Sequence, residues 1–282
     1  MNSLIFNIIK IGVIFVGMNM IVYQLVNEYK GLSEVEAITL AGSGANGRKD
    51  NYSDIDIDII VSKEIDNDRR EQIIKKVSDY MEVGNDYWGD GDEFLLRSSD
   101  IQVDIAYFEM KWLKEQISNI LDKNIACTGY STCFWHNVKN AVIVYDRNGV
   151  FTELQKKCNT AYPEKLKSNT MKKNYPILRR SFSSYYNQIA KALMRNDLVS
   201  VNHRLAAFLA SYFDILFAIN EIPHPGEKKL IDIVENQCNI KPENFKENLN
   251  NLFIQGNDKI LQNLNIIVDN LDVVLRKENI DI

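Results

Sequence analysis

The stretch Leu40-Ala41-Gly42-Ser43-Gly44, followed after a short loop by Asp54-Ile55-Asp56-Ile57-Asp58-Ile59-Ile60-Val61, decides how this chain reads. Its second half alternates. Ile55, Ile57, Ile59 and Val61 share one face of an extended strand, and Asp54, Asp56 and Asp58 share the other. Its first half closes a short β-type run, Val35 to Leu40, in a glycine-rich turn. There the backbone N–H groups and the Ser43 hydroxyl can point at anionic oxygens. Ten residues separate Ser43 from Asp54, so one loop joins the turn to the acidic strand edge.

Working outward, Tyr23 to Lys30 fits a helix ended by Gly31. Leu4 to Val26 is mostly apolar, but Asn7, Lys10, Asn19 and Gln24 interrupt it, and a charge inside lipid is costly. An amphipathic first helix is expected rather than a membrane span, with residues 1–17 as an extra segment. Downstream, Ile65 to Val83 carries helical spacing, and Gly84, Gly89 and Gly91 then punctuate the chain. Phe94 to Arg97 and Ile101 to Phe108 read as two strands joined by the turn Ser98-Ser99-Asp100. Met110 to Asp122 is helical, Ala141 to Tyr145 is a last strand, and Asp146-Arg147-Asn148-Gly149 is a turn. Beyond it, Tyr175 to Arg195, Leu198 to Asn220, Glu227 to Gln237 and Asn257 to Lys277 all repeat apolar residues at three- and four-residue steps. The expectation is an α+β chain: a small mixed-sheet domain over 1–148 and a C-terminal helical bundle over 149–282.

A length of 282 residues suits two domains. With 45% hydrophobic and 25% charged residues the composition is that of a globular protein, not a disordered or fibrous one. A net charge of -5 argues against broad binding to nucleic acid, whose affinity comes largely from neutralised phosphates, and points to a small-molecule partner. Cys127, Cys133, Cys158 and Cys238 show no paired metal spacing and read as free thiols of a cytoplasmic protein.

Transfer of a nucleotidyl group requires a cradle for a triphosphate and carboxylates that hold divalent ions against phosphate oxygens and an attacking hydroxyl. Gly42, Ser43 and Gly44 supply the first pattern. Asp54 and Asp56, two apart on a strand, aim to one side and supply the second. Asp104 lies among Ile101, Val103, Ile105 and Tyr107, where an unpaired carboxylate would be costly and a metal would explain it. In this order, a Gly-Ser turn, an Asp-x-Asp strand and a third Asp on a later strand resemble the DNA polymerase β-like nucleotidyltransferase superfamily. A helical bundle after the catalytic domain looks like the bacterial antibiotic nucleotidyltransferases, which adenylylate aminoglycosides or lincosamides. The resemblance implies ATP as donor, two Mg2+ ions at Asp54, Asp56 and Asp104, release of pyrophosphate and a role in antibiotic resistance.

Other residues are weaker candidates. Lys173 and Arg180, in a basic run that opens the helical half, are candidates to reach the donor's phosphates. Asp86, Asp90, Asp92 and Glu93 cluster around Tyr87 and Trp88, an acidic and aromatic loop that suits a cationic acceptor. Glu93, Trp88 and Tyr107 are the candidates to meet that acceptor, and either Asp104 or Glu93 can serve as base. Asp100 and Glu93 rival Asp104 as third ligand, but a turn aspartate such as Asp100 reads better as a local cap. Gly129 to Asn137 mixes aromatic and polar groups, with core packing the simpler account, and His136 and His203 lack partner spacing for a metal. Two alternatives stand beside the small-molecule reading: transfer to a protein or RNA, and nucleotide binding without turnover.

Overall fold

The computed structural model describes residues 20–41, 54–97 and 101–280. The phosphate-cradle candidates Gly42, Ser43 and Gly44, the rival Asp100 and the extra segment 1–17 lie outside the described residues. The chain divides into two compact units, Met1–Gln116 with Asn137–Asn159, and Ile117–His136 with Thr160–Ile282. The chain therefore passes between units more than once, whereas the sequence suggests one division after residue 148.

The first unit is built on a six-stranded sheet of order β3-β4-β5-β2-β1-β6. The strands are β1 Val35–Leu40, β2 Ile55–Val61, β3 Tyr80–Asn85, β4 Gly91–Leu95, β5 Gln102–Glu109 and β6 Val142–Asp146. β2 runs parallel to β5 and the other neighbours are antiparallel, so the sheet is mixed as expected. Period-two side chains sort its faces. Ile57, Ile59, Val61, Val103, Ile105, Phe94 and Ile38 form one buried core, joined by Leu25, Val26 and Tyr29 of helix α1, Met20–Lys30. Each such side chain contributes roughly 1.5–3 kcal/mol by leaving water.

Helix α2 spans Asn67–Ile74, capped by the Asp66 side chain, which accepts from the Asp68 N–H. The helical spacing expected from Ile65 to Val83 thus ends early, and its last residues are β3. Met81 and Val83 alternate toward the core against β4, and pairing overrides a helical pattern that also fits. After helix α3, Met110–Leu121, and helix α4, Cys133–Asn140, β6 is secured by its own turn. Arg147 donates to the Val35 and Leu32 carbonyls at 2.9 and 2.8 Å. Asp146 accepts from the Phe151 and Thr152 N–H groups, capping helix α5, Val150–Cys158.

The second unit is helical: α6 Glu164–Arg179, α7 Tyr185–Met194, α8 Leu198–Ile219, α9 Leu230–Gln237, α10 Phe245–Ile254 and α11 Gly256–Lys277. The single helix expected over Tyr175 to Arg195 is two. It breaks at Ser181 to Ser184, where Ser184 accepts from the Asn187 N–H and starts α7. α8 is buried on every side from Ser211 to Ile219, as a central helix must be. Around it Phe208, Tyr212, Phe213, Phe217 and Phe245 stack or meet edge to face. Among the described residues no helix is long and apolar enough to cross a membrane, and all four cysteines are free.

Candidate active site

The face of the sheet turned away from the core carries the acidic residues, and strand register aligns them. Asp56 of β2 pairs with Asp104 of β5, Asp104 pairs with Glu93 of β4, and Glu93 pairs with Glu82 of β3. Residues paired across neighbouring strands project to the same side, with Cβ atoms roughly 4.5–5.5 Å apart. Four carboxylates therefore form one row across four strands. Asp54 is exposed where the chain enters β2, one step beyond Asp56 on the same face. Asp58 is one step further in, and Thr39 donates to it at 3.4 Å.

Carboxylates on this face raise one another's pKa. Burial, then Asp104 and Glu82, push the Glu93 carboxyl above its usual range. Burial and Asp56 push Asp58 up to about 7 against the Thr39 hydrogen bond. No cation is among the causes for either. Gln102, two residues along β5, donates to Asp104 at 2.8 Å and fixes that carboxylate's orientation. A row of hard oxygen ligands fits a divalent ion such as Mg2+ by its donor chemistry. Among the described residues no three acidic, histidine or cysteine side chains close on one point. Like charges in a row repel, so closure needs a cation between them.

The hairpin that carries Glu93 is anchored from the opposite face. Arg70 of α2, only 1% exposed, makes a two-pronged pair with Asp90 at 2.5 and 2.6 Å and lies 3.8 Å over the Tyr107 ring. Asp92, fully buried, accepts from the Gly84 N–H at 2.8 Å and from the Tyr107 hydroxyl at 2.5 Å. The Tyr107 and Tyr29 hydroxyls lie 2.7 Å apart and close the network. Of the acidic loop residues, Asp92 is thus committed to the interior, because alternation sends it to the core face and Glu93 to the other, while Asp90, its side chain 44% exposed, is committed to Arg70. Tyr107 is buried on that core face too, so the structure does not bring it to the acidic row. Trp88 is 95% exposed in the turn between β3 and β4. Lys173 and Arg180 belong to the helical unit, where Arg180 lies 4.7 Å over the Tyr175 ring and 3.9 Å from Asp272.

The helical unit holds a polar cluster that periodicity could not reveal. Asp214, buried in α8, accepts from Ser131 N–H at 3.1 Å, Ser131 hydroxyl at 2.6 Å and Asn174 amide at 3.1 Å. Asn174 in turn accepts from the Gly129 N–H at 2.9 Å. Burial pushes the Asp214 carboxyl up to about 6. Folded protein then binds more protons than unfolded protein between the ordinary carboxylate range and that value, so this group subtracts stability as pH rises through it. Burial holds the nearby His224 down at about 4, an opposite trend that adds stability as pH rises toward the ordinary histidine range. Asp214→Asn should leave only the second trend. Between pH 4 and pH 7 the variant is expected to gain about 3 kcal/mol relative to wild type. Thermal unfolding of both proteins at the two pH values checks this, and an equal difference at both would refute it.

Residues 22–127 match the family model for a nucleotidyltransferase domain. The acidic row lies within the match, as do Gly42, Ser43 and Gly44. Residues 132–229 match a second model, a domain of unknown function (DUF4037). Among solved structures, a nucleotidyltransferase-like protein from Exiguobacterium sibiricum is similar at 12% identity and TM-score 0.43, over 89% of this chain and 72% of that one. Spectinomycin adenyltransferase AAD(9) from Enterococcus faecialis, solved with ATP and spectinomycin, is similar at 13% identity and TM-score 0.30, over 89% and 99%. Likenesses this distant carry no functional argument. A search of curated proteins gives no match.

Proposed function

We propose that this protein transfers AMP from ATP to a hydroxyl of a small molecule of the aminoglycoside or lincosamide kind, releasing pyrophosphate. The observation that carries the reading is the pairing of Asp56 with Asp104 on adjacent parallel strands, beside Asp54, within a nucleotidyltransferase domain. Asp54, Asp56 and Asp104 would hold two Mg2+ ions. Bound there, the ions would neutralise charge on the triphosphate and lower the pKa of the attacking hydroxyl.

The protein's own groups divide the remaining work. Gly42, Ser43 and Gly44 would cradle the triphosphate through backbone N–H groups and the Ser43 hydroxyl. Glu93, whose carboxyl is raised and faces Asp104, accepts the proton of the acceptor hydroxyl. Trp88, bare in the adjacent turn, offers a ring face to the acceptor.

The test is direct. The full chain is incubated with each nucleoside triphosphate, Mg2+ and a panel of aminoglycosides and lincosamides, and products are weighed by mass spectrometry. An acceptor heavier by one AMP is the expected result. Modification of a co-incubated protein or RNA instead would overturn the small-molecule reading, and pyrophosphate release from no acceptor at all would overturn transfer.

A further inference from the structure

Beside the carboxylates of the acidic face stands a neutral amide. β5 begins at Gln102, and period-two alternation puts Gln102 on the face of Asp104. The pairing of β5 with β2 starts at Val103 and Ile55. Continued one step back, that register sets Gln102 level with Asp54, as Asp104 is level with Asp56. Across these two strands the face is a block of three carboxylates and one amide.

The amide is engaged. Its Nε2 donates to Asp104 Oδ1 at 2.8 Å. Asp104 makes no second hydrogen bond or ion pair with a described residue, so its other oxygen alone is left for a ligand. A glutamine does this without altering the charge of the site. A carboxylate in its place could not donate to Asp104 and would repel it. A lysine or arginine could donate, but a divalent ion would then compete with a fixed positive charge.

The consequence lies in which ion the carboxylate suits. Ca2+ takes oxygens at roughly 2.3–2.6 Å in a flexible shell and readily accepts both oxygens of one carboxylate. Mg2+ demands near-ideal octahedral geometry at about 2.0–2.1 Å, where one carboxylate supplies one oxygen. With Oδ1 held by Gln102, Asp104 offers the single oxygen that suits the smaller ion and costs the larger one a ligand. We propose that Gln102 is a positioning residue that makes Asp104 a one-oxygen ligand and so biases the site toward Mg2+ over Ca2+. This inference rests on the reading of Asp54, Asp56 and Asp104 as metal ligands.

Calorimetric titration of the full chain with α,β-methylene-ATP, an analogue that cannot transfer AMP, tests it without turnover. Each protein is titrated at mildly alkaline pH, once in excess Mg2+ and once in excess Ca2+, and the ratio of the two dissociation constants is the readout. Wild type is expected to bind the Mg2+ complex more tightly. Gln102→Leu, which removes the donor, should weaken the Mg2+ complex about tenfold and leave the Ca2+ complex unchanged or tighter. Gln102→Glu, which cannot donate when ionised, should lose the preference as well, with the Ca2+ complex tightened by the added oxygens. A glutamine that served the fold alone would weaken both complexes together and leave the ratio where it was. An unchanged ratio in either folded variant overturns the proposal, as does a wild-type preference for Ca2+. Wild type that binds the analogue with neither ion overturns the metal reading of the three aspartates itself.

Discussion

Asp56→Asn is expected to lose at least about a thousandfold in nucleotidyl transfer, some 4 kcal/mol of transition-state stabilisation, while the protein remains as stable as wild type or becomes more so. The two halves of this result have one cause. Asp56 sits between Asp58 and the Asp104-Glu93 pair on a face where neighbouring carboxylates raise one another's pKa. A neutral amide there removes repulsion from the folded state and also removes an oxygen ligand that no neighbour replaces. Asp104→Asn should behave alike, since Asp104 is the register partner of Asp56. Glu93→Gln should act differently, lowering kcat with little change in KM and flattening the acid limb of the pH profile, because its role is to take a proton. Pyrophosphate release and unfolding temperature, measured on the same samples, check all three. Wild-type turnover in Asp56→Asn would end the metal-assisted reading. Collapse of the fold in that variant would show that the acidic face is structural.

Arg70→Met is the change expected to cost the nucleotidyltransferase domain most stability, about 3–5 kcal/mol. The arginine is buried and faces two aspartates, one of them, Asp92, without exposure to water. Removing one partner of such a group leaves the others uncompensated, and the flat guanidinium over Tyr107 also loses its packing. Tyr107→Phe, which removes only the hydroxyl that donates to Asp92, should cost less, about 1–3 kcal/mol. Since Asp90 and Asp92 flank the turn leading to Glu93, the loss should be felt locally. Hydrogen exchange of β4 and β5 should accelerate in Arg70→Met while that of the helical unit stays unchanged, and equal protection in wild type and variant would refute the role given to Arg70.

Where side-chain period and partner coincide locally, the sequence is readable. The alternation of Asp54 to Val61 specifies a strand with an acidic face, because a period of two has no other folded interpretation over that length, and β2 forms as expected. Val35 to Leu40, Met110 to Leu121 and Leu198 to Ile219 follow the same logic. The reading fails where two periods fit one short stretch, as at Tyr80 to Asn85, and where a break rests on a side-chain cap such as Ser184 within an apolar pattern. It fails also for Asp92 and Tyr107. Both look like site residues by proximity in sequence to Glu93 and Asp104, and both point to the core because each is one step out of phase.

By itself, the sequence determined the acidic strand and the α+β composition, since these depend on residue type at fixed local spacing. Tertiary structure alone decided that Asp56, Asp104 and Glu93 are neighbours, because register between strands distant in the chain is set by how whole faces bury. It alone decided that Asp90 and Asp92 belong to Arg70 rather than to an acceptor, since a buried charge must find its partner in space. Asp214, Asn174 and Ser131 come together in the same way, from helices and loops whose separate sequences give no sign of the others.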